Sequence, residues 1–264
     1  RQIASYFEGA NAWLYYADRL YQLPLGVVGV AIGIVLLPDL SRRLRVGDEA
    51  GGQEAFNRAA ELSLLLTIPC TVALVVIPSA LVSVLFERGA FVASDTQATA
   101  LATAIYGLGL PAFVLQKLYQ PVFFAREDTR SPFNFALVAL VVNAVVAIGL
   151  SQYIGFTAAA YGATCAGWAM LACLWWGAQR FGPAASWDAQ LRKRSVRILL
   201  ASLVMGTVVW ITARALEPVL QMGGLRLLGL AVILLVAGCS YTLAGRLLGA
   251  FSLVQLRQMI RRAD

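Results

Sequence analysis

Residues 133–150 read FNFALVALVVNAVVAIGL, eighteen positions without a charge. A helix needs about 20 mostly apolar residues to cross a hydrocarbon core of about 30 Å, and this run is close to that length. Residues 63–86, 98–125 and 198–216 form further predominantly apolar runs. The whole chain is 59% hydrophobic and 13% charged, where a soluble domain carries about 25% charge. That much apolar surface does not fit one globular core. The runs are apolar on every face, whereas barrel strands alternate apolar and polar positions, so a β-barrel is excluded. The fold class is all-α: a polytopic bundle of about seven membrane helices, predicted at residues 10–38, 59–86, 97–125, 132–153, 156–179, 196–216 and 225–249.

The basic residues give those spans a direction. Arg42, Arg43, Arg45, Arg58, Arg126, Arg130, Arg180, Arg192, Lys193, Arg194, Arg197, Arg246, Arg257, Arg261 and Arg262 follow the odd-numbered spans, and only Arg1, Arg88, Arg214 and Arg226 lie at the other ends. The positive-inside rule makes the larger set cytoplasmic, placing the N-terminal end of the chain outside and the C-terminal end inside. This reading also accounts for the net charge of +7 without nucleic acid. An outside start, with no leader ahead of the first apolar run, predicts further spans upstream. Organisation along the chain is expected as a five-helix part over 1–180, a basic linker over 181–195 containing Pro183, and a two-helix appendix with a basic tail over 196–264.

Catalysis finds no residues to carry it. The chain has no histidine, its four cysteines stand singly, and neither metal-ligand spacing nor a phosphate-cradling GxxxxGK[ST] loop is present. The remaining polar positions inside spans are the candidates. Arg19, in the run WLYYADRL over residues 13–20, lies about nine residues into span one, ~14 Å along the axis. A charge near mid-membrane costs roughly 2.5–3.5 kcal/mol. Pairing with Asp18 is poor relief, because neighbouring helix positions do not face each other; a wet cavity or an anionic ligand is the alternative. Lys117 is the second cation within a span and is long enough to snorkel toward the interface. Two such cations suit a phosphate or diphosphate cargo. Asn143 reads as interhelical glue, and the GxxxG of Gly29 and Gly33 as close helix packing.

The stretch WLYYADRLYQLPLGVVGVAIGIVLLPDLSR over 13–42, with VLFERGAF over 84–91 and YGLGLPAFVLQKLYQPVFFAREDTRSP over 106–132, resembles the MurJ (MviN) family of lipid II flippases, of the multidrug/oligosaccharidyl-lipid/polysaccharide superfamily. The resemblance runs over essentially the whole chain and implies the C-terminal part of a fourteen-helix transporter, with the N-terminal lobe as its partner. It implies movement of undecaprenyl-diphosphate-linked peptidoglycan precursor, lipid II, across a bacterial inner membrane by alternating access, with no cofactor and no enzymatic step. It assigns Arg19, with Asp18 and Lys117, to the substrate cavity and the last two helices to a groove for the lipid tail. A Na+ site in some members implies roles for Asn143 and Thr164, although Ala147 stands where some relatives carry an acid; Na+ and the membrane potential both remain open as driving force. The alternatives are a polysaccharide or drug exporter of the same superfamily and a non-transporting scaffold for cell-wall enzymes.

Overall fold

The computed structural model describes residues 9–31, 37–222 and 224–250. Every regular element among them is helical: α1 (Ala10–Ala31), α2 (Leu37–Arg45), α3 (Glu49–Val76), α4 (Pro78–Phe86), α5 (Ala93–Phe124), α6 (Arg130–Ile154), α7 (Thr157–Ala178), a 3-10 segment (Gln179–Ala185), α8 (Ala189–Ala215), α9 (Glu217–Gln221) and α10 (Arg226–Leu247).

Six helices among the described residues are long and apolar enough to cross a membrane: α3, α5, α6, α7 with its 3-10 extension, α8 and α10. The first of the seven predicted spans is not one of them. Its helix α1 has 22 residues, about 33 Å at 1.5 Å per residue, but Asp18, Arg19 and Gln22 dilute its apolar character. Residues 32–36 of that predicted span lie outside the described residues.

The span predicted over 59–86 is interrupted. α3 ends at Val76, and α4 restarts with Pro78 in its first turn. A proline lacks the amide proton and pushes the residue before it out of the helical region, and Ile77 accordingly sits at φ −124°, ψ 39°. Pro69, by contrast, lies within the continuous α3. The carbonyl it deprives of a partner belongs to Leu65, four residues earlier, and the Tyr241 hydroxyl of α10 donates to that oxygen at 2.7 Å.

α5 occupies the centre, with α1, α3, α4 and α7 packed around it; α6 lies outside α7, and α8 with α10 lies outside α3. The core at the basic end is built around Phe56, Tyr119 and Phe123, all essentially buried. Lipid tails are as apolar as leucine, so these helices associate by close packing and hydrogen bonds rather than by escape from water. Gly206 of α8 shows how close: a Cβ placed there would lie 2.5 Å from Cγ1 of Val72 on α3.

Of the polar stretch 181–195, the first part completes the 3-10 segment and the last part forms the first turns of α8. It is pinned to α3, where the Asn57 side chain donates to Ser186 O at 3.1 Å and accepts from the Asp188 amide at 3.2 Å. Arg194, one of its basic residues, makes a mostly buried ion pair with Glu61 of α3, Nη1 lying 2.6 Å from each carboxylate oxygen.

Candidate functional site

α1 has two unlike faces. Ala10, Leu14, Ala17, Leu20 and Val28 are buried, and the upper part of that face packs on Ala102 and Ile105 of α5 and Ala160 of α7. Tyr15, Arg19, Leu23, Gly26 and Val30, spaced three or four apart, form an exposed stripe on the opposite side. Trp13 ties the start of α1 to α5: its indole N–H donates to Asp95 Oδ1 at 2.8 Å.

Asp18, half-buried beside this stripe, and Arg19 do not pair with each other. Asp18 accepts from Gln22 Nε2 at 2.5 Å. Arg19 Nη2 donates to the Tyr15 hydroxyl at 2.9 Å, and its guanidinium carbon lies 4.8 Å from the centre of the Tyr15 ring. Both contacts are one helical turn long, the spacing at which helical side chains meet. Tyr15 and Gln22, absent from the sequence candidates, were legible in principle from that spacing. Tyr15 holds the guanidinium without neutralising it, and no carboxylate among the described residues forms an ion pair with Arg19.

Lys117 of α5 is exposed and reaches the same seam from the other helix. A Cβ added to Gly29 of α1 would stand 2.9 Å from Lys117 Nζ. Gly29 therefore makes room for an ammonium group, a use that the GxxxG spacing alone did not indicate. Arg19 and Gly29 are ten residues apart, so the two cations are separated by about 15 Å along α1. They share a seam at different depths and do not touch.

Asn143 and Thr164 are not brought together. Asn143 of α6 packs against Gly162 of α7, where a Cβ would be 2.9 Å from its side-chain oxygen. Thr164 is two residues further on, about 200° round the helix, and its hydroxyl donates to Ile105 O of α5 at 2.9 Å. Asn143 occupies the α6–α7 contact and Thr164 the α5–α7 contact. Among the described residues there is also no group of three or more His, Cys, Asp or Glu side chains placed to hold a metal ion.

Such a site can receive an anion: a guanidinium with open valence midway along an exposed helix face, and an ammonium on the same seam. The family model described as lipid II flippase MurJ matches residues 1–231. The chain belongs to the MurJ family. A probable lipid II flippase MurJ from Rhizobium tropici is 41% identical over 263 residues, covering 98% of this chain and 49% of the relative. The corresponding protein of Rhizobium meliloti (strain 1021) is 39% identical over 269 residues, again covering 98% of this chain and 49% of the relative. This chain thus spans about half the length of the curated relatives it matches. A solved structure of a lipid II flippase MurJ in an inward closed conformation superposes with a TM-score of 0.73 at 22% identity, over 92% of this chain and 49% of that one. That likeness establishes the fold of a MurJ membrane helical bundle.

Proposed function

We propose that the protein carrying this chain is a flippase that moves lipid II from the cytoplasmic to the periplasmic leaflet of the bacterial inner membrane for cell-wall synthesis. This chain supplies the C-terminal lobe, and its exposed α1 stripe faces a central cavity completed by an N-terminal lobe. The cargo crosses unaltered by alternating access, driven by an ion gradient or the membrane potential, with no cofactor and no catalytic step. The basic ends of the helices are cytoplasmic, and the N-terminal end of the chain is periplasmic.

One observation carries the reading: the Arg19 guanidinium is held by a neutral phenol on the exposed face of α1, and no carboxylate among the described residues forms an ion pair with it. An unneutralised arginine at mid-membrane depth is expensive and is balanced when it meets a diphosphate through charge-assisted, bidentate hydrogen bonds. Lys117, deeper toward the basic end, extends the positive seam along which such a headgroup travels. Asp18, turned onto Gln22, tempers the field at the same level.

The test is substitution of Arg19 in the intact gene product, with lipid II accessibility at the outer leaflet and protein abundance measured together. Arg19→Ala should abolish flipping at near-normal abundance. Arg19→Lys should retain part of it at most, because an ammonium does not reproduce the planar fork. Full flipping by Arg19→Ala at normal abundance would overturn the assignment and favour a scaffold.

A further inference from the structure

At the basic end of the bundle, a cavity of about 390 Å³ opens between the end of α7, the 3-10 segment and the first turn of α8. Its volume falls in the range of small-molecule sites, about 300–1,000 Å³. Trp175, Gln179, Gly182, Ser186, Trp187 and Arg192 line it. Most of the wall is held in place by bonds of its own. Trp187 donates its indole N–H to the Tyr119 hydroxyl at 3.0 Å. Ser186 donates to Pro183 O and accepts from Gln53 Nε2, each at 2.8 Å.

An amide and a guanidinium in the lining are uncommitted. The side chains of Gln179 and Arg192 have no polar partner among the described residues, while the basic neighbours Arg194 and Arg197 are engaged by Glu61 and by Gly249 O. Asp188, the nearest acid in sequence, is turned onto the Leu191 amide as the cap of α8. The cavity therefore combines an unneutralised guanidinium with an amide between two indole walls, a donor set that matches a phosphate.

The surroundings specify where that phosphate comes from. Trp175 is 52% exposed at the end of a membrane-spanning helix, the level at which tryptophans meet lipid headgroups. From Arg192 an exposed apolar stripe runs along α8 through Val196, Leu199 and Leu203, at helical spacings of four, seven and eleven. Trp168 continues the exposed side of α7 inward from Trp175. A phosphate in the cavity would have apolar surface leading from it into the bilayer on both helices, a layout that fits a two-tailed lipid. Basic pockets between membrane helices on the cytoplasmic side are a known way to hold anionic headgroups.

We propose that this cavity binds the phosphate of an anionic glycerophospholipid, with Arg192 and Gln179 as its ligands and the Trp175 and Trp187 rings as its walls. The site is separate from Arg19 and is occupied by a resident lipid rather than by cargo. It rests on the functional reading only for the side of the membrane it faces.

Native mass spectrometry of the intact gene product in mild detergent tests this, with phosphatidylglycerol, phosphatidylcholine and inorganic phosphate as probes. The wild type should retain phosphatidylglycerol in preference to phosphatidylcholine. Arg192→Gln should weaken phosphatidylglycerol binding by about tenfold, the loss of one charge-assisted hydrogen bond. Gln179→Leu should weaken it by a smaller factor, and Lys193→Gln, outside the cavity, should leave it unchanged. Unaltered phosphatidylglycerol binding in both Arg192→Gln and Gln179→Leu would overturn the proposal. Displacement of the lipid by millimolar inorganic phosphate, lost in Arg192→Gln, would overturn the lipid assignment in favour of a soluble anion. Arg19→Ala should bind phosphatidylglycerol at this site as the wild type does, so failure of the flippase reading and failure of this one are separately visible.

Discussion

Asp128 shows how a single residue in a connection can organise two helix ends. It sits in the turn between α5 and α6, where the Ser131 amide donates to Oδ1 at 3.0 Å and Arg180 pairs with Oδ2. The Ser131 amide first, then the Ser131 hydroxyl and the Arg180 guanidinium, hold its carboxyl below the usual carboxylate range. Arg180 in turn lies 4.7 Å from the centre of the Phe181 ring, and Arg126 stacks at the same distance. A carboxyl whose ionised form is favoured by folding adds stability that is fully present above its unfolded value, about 3.9, and is lost as pH falls through the lower folded value. Thermal unfolding in detergent should therefore show Asp128→Asn below the wild type at neutral pH, with the gap closing below about pH 4. A gap that stays constant down to about pH 3 would mean that ionisation of Asp128 contributes nothing.

At the scale of elements, a proline in one helix is answered by a tyrosine in another. Pro69 leaves Leu65 O without its helical donor, and Tyr241 of α10 supplies one. An unsatisfied carbonyl in an apolar interior is unfavourable, so Tyr241→Phe should destabilise the bundle by roughly 1 kcal/mol. The control is Pro69→Ala, which restores an amide proton to that turn. The loss from Tyr241→Phe should shrink in the Pro69→Ala background when both are measured by denaturant unfolding in the same detergent. Equal losses in the two backgrounds would sink the idea that Tyr241 serves the proline. Glu61 with Arg194 near one end, and Arg226 of α10 lying 3.5 Å from Glu87 at the other, add charged contacts between the last helices and the rest of the bundle.

At the scale of the whole molecule, the uneven distribution of basic residues makes an orientation prediction. In a background lacking the four cysteines, Val46→Cys should be shielded from impermeant thiol reagents in intact cells, and Ser94→Cys should label. Both positions are exposed. Gly51 is a poorer choice for the first because the Asp48 carboxylate occupies the space of a Cβ there. Reversed labelling would invert the proposed topology and move the Arg192 cavity to the outer face.

The sequence alone determined the helical membrane class, the positions of most spans, the family and the prominence of Arg19. These are local properties: insertion depends on the composition of each run, and a charge within an apolar run stands out in one dimension. Only the tertiary structure decided that the polar stripe of α1 faces away from the core, that Lys117 lies over Gly29, and that Asn143 of α6 meets one face of α7 while Thr164 points from another. It also decided that the basic stretch after α7 is docked rather than free, through contacts such as Arg194 with Glu61. In a soluble protein the apolar stripe of a helix announces which face is buried. Here nearly every face is apolar, lipid and protein are equally good neighbours for it, and the choice falls to small residues, freed carbonyls and polar pairs whose partners lie as far apart in sequence as Leu65 and Tyr241.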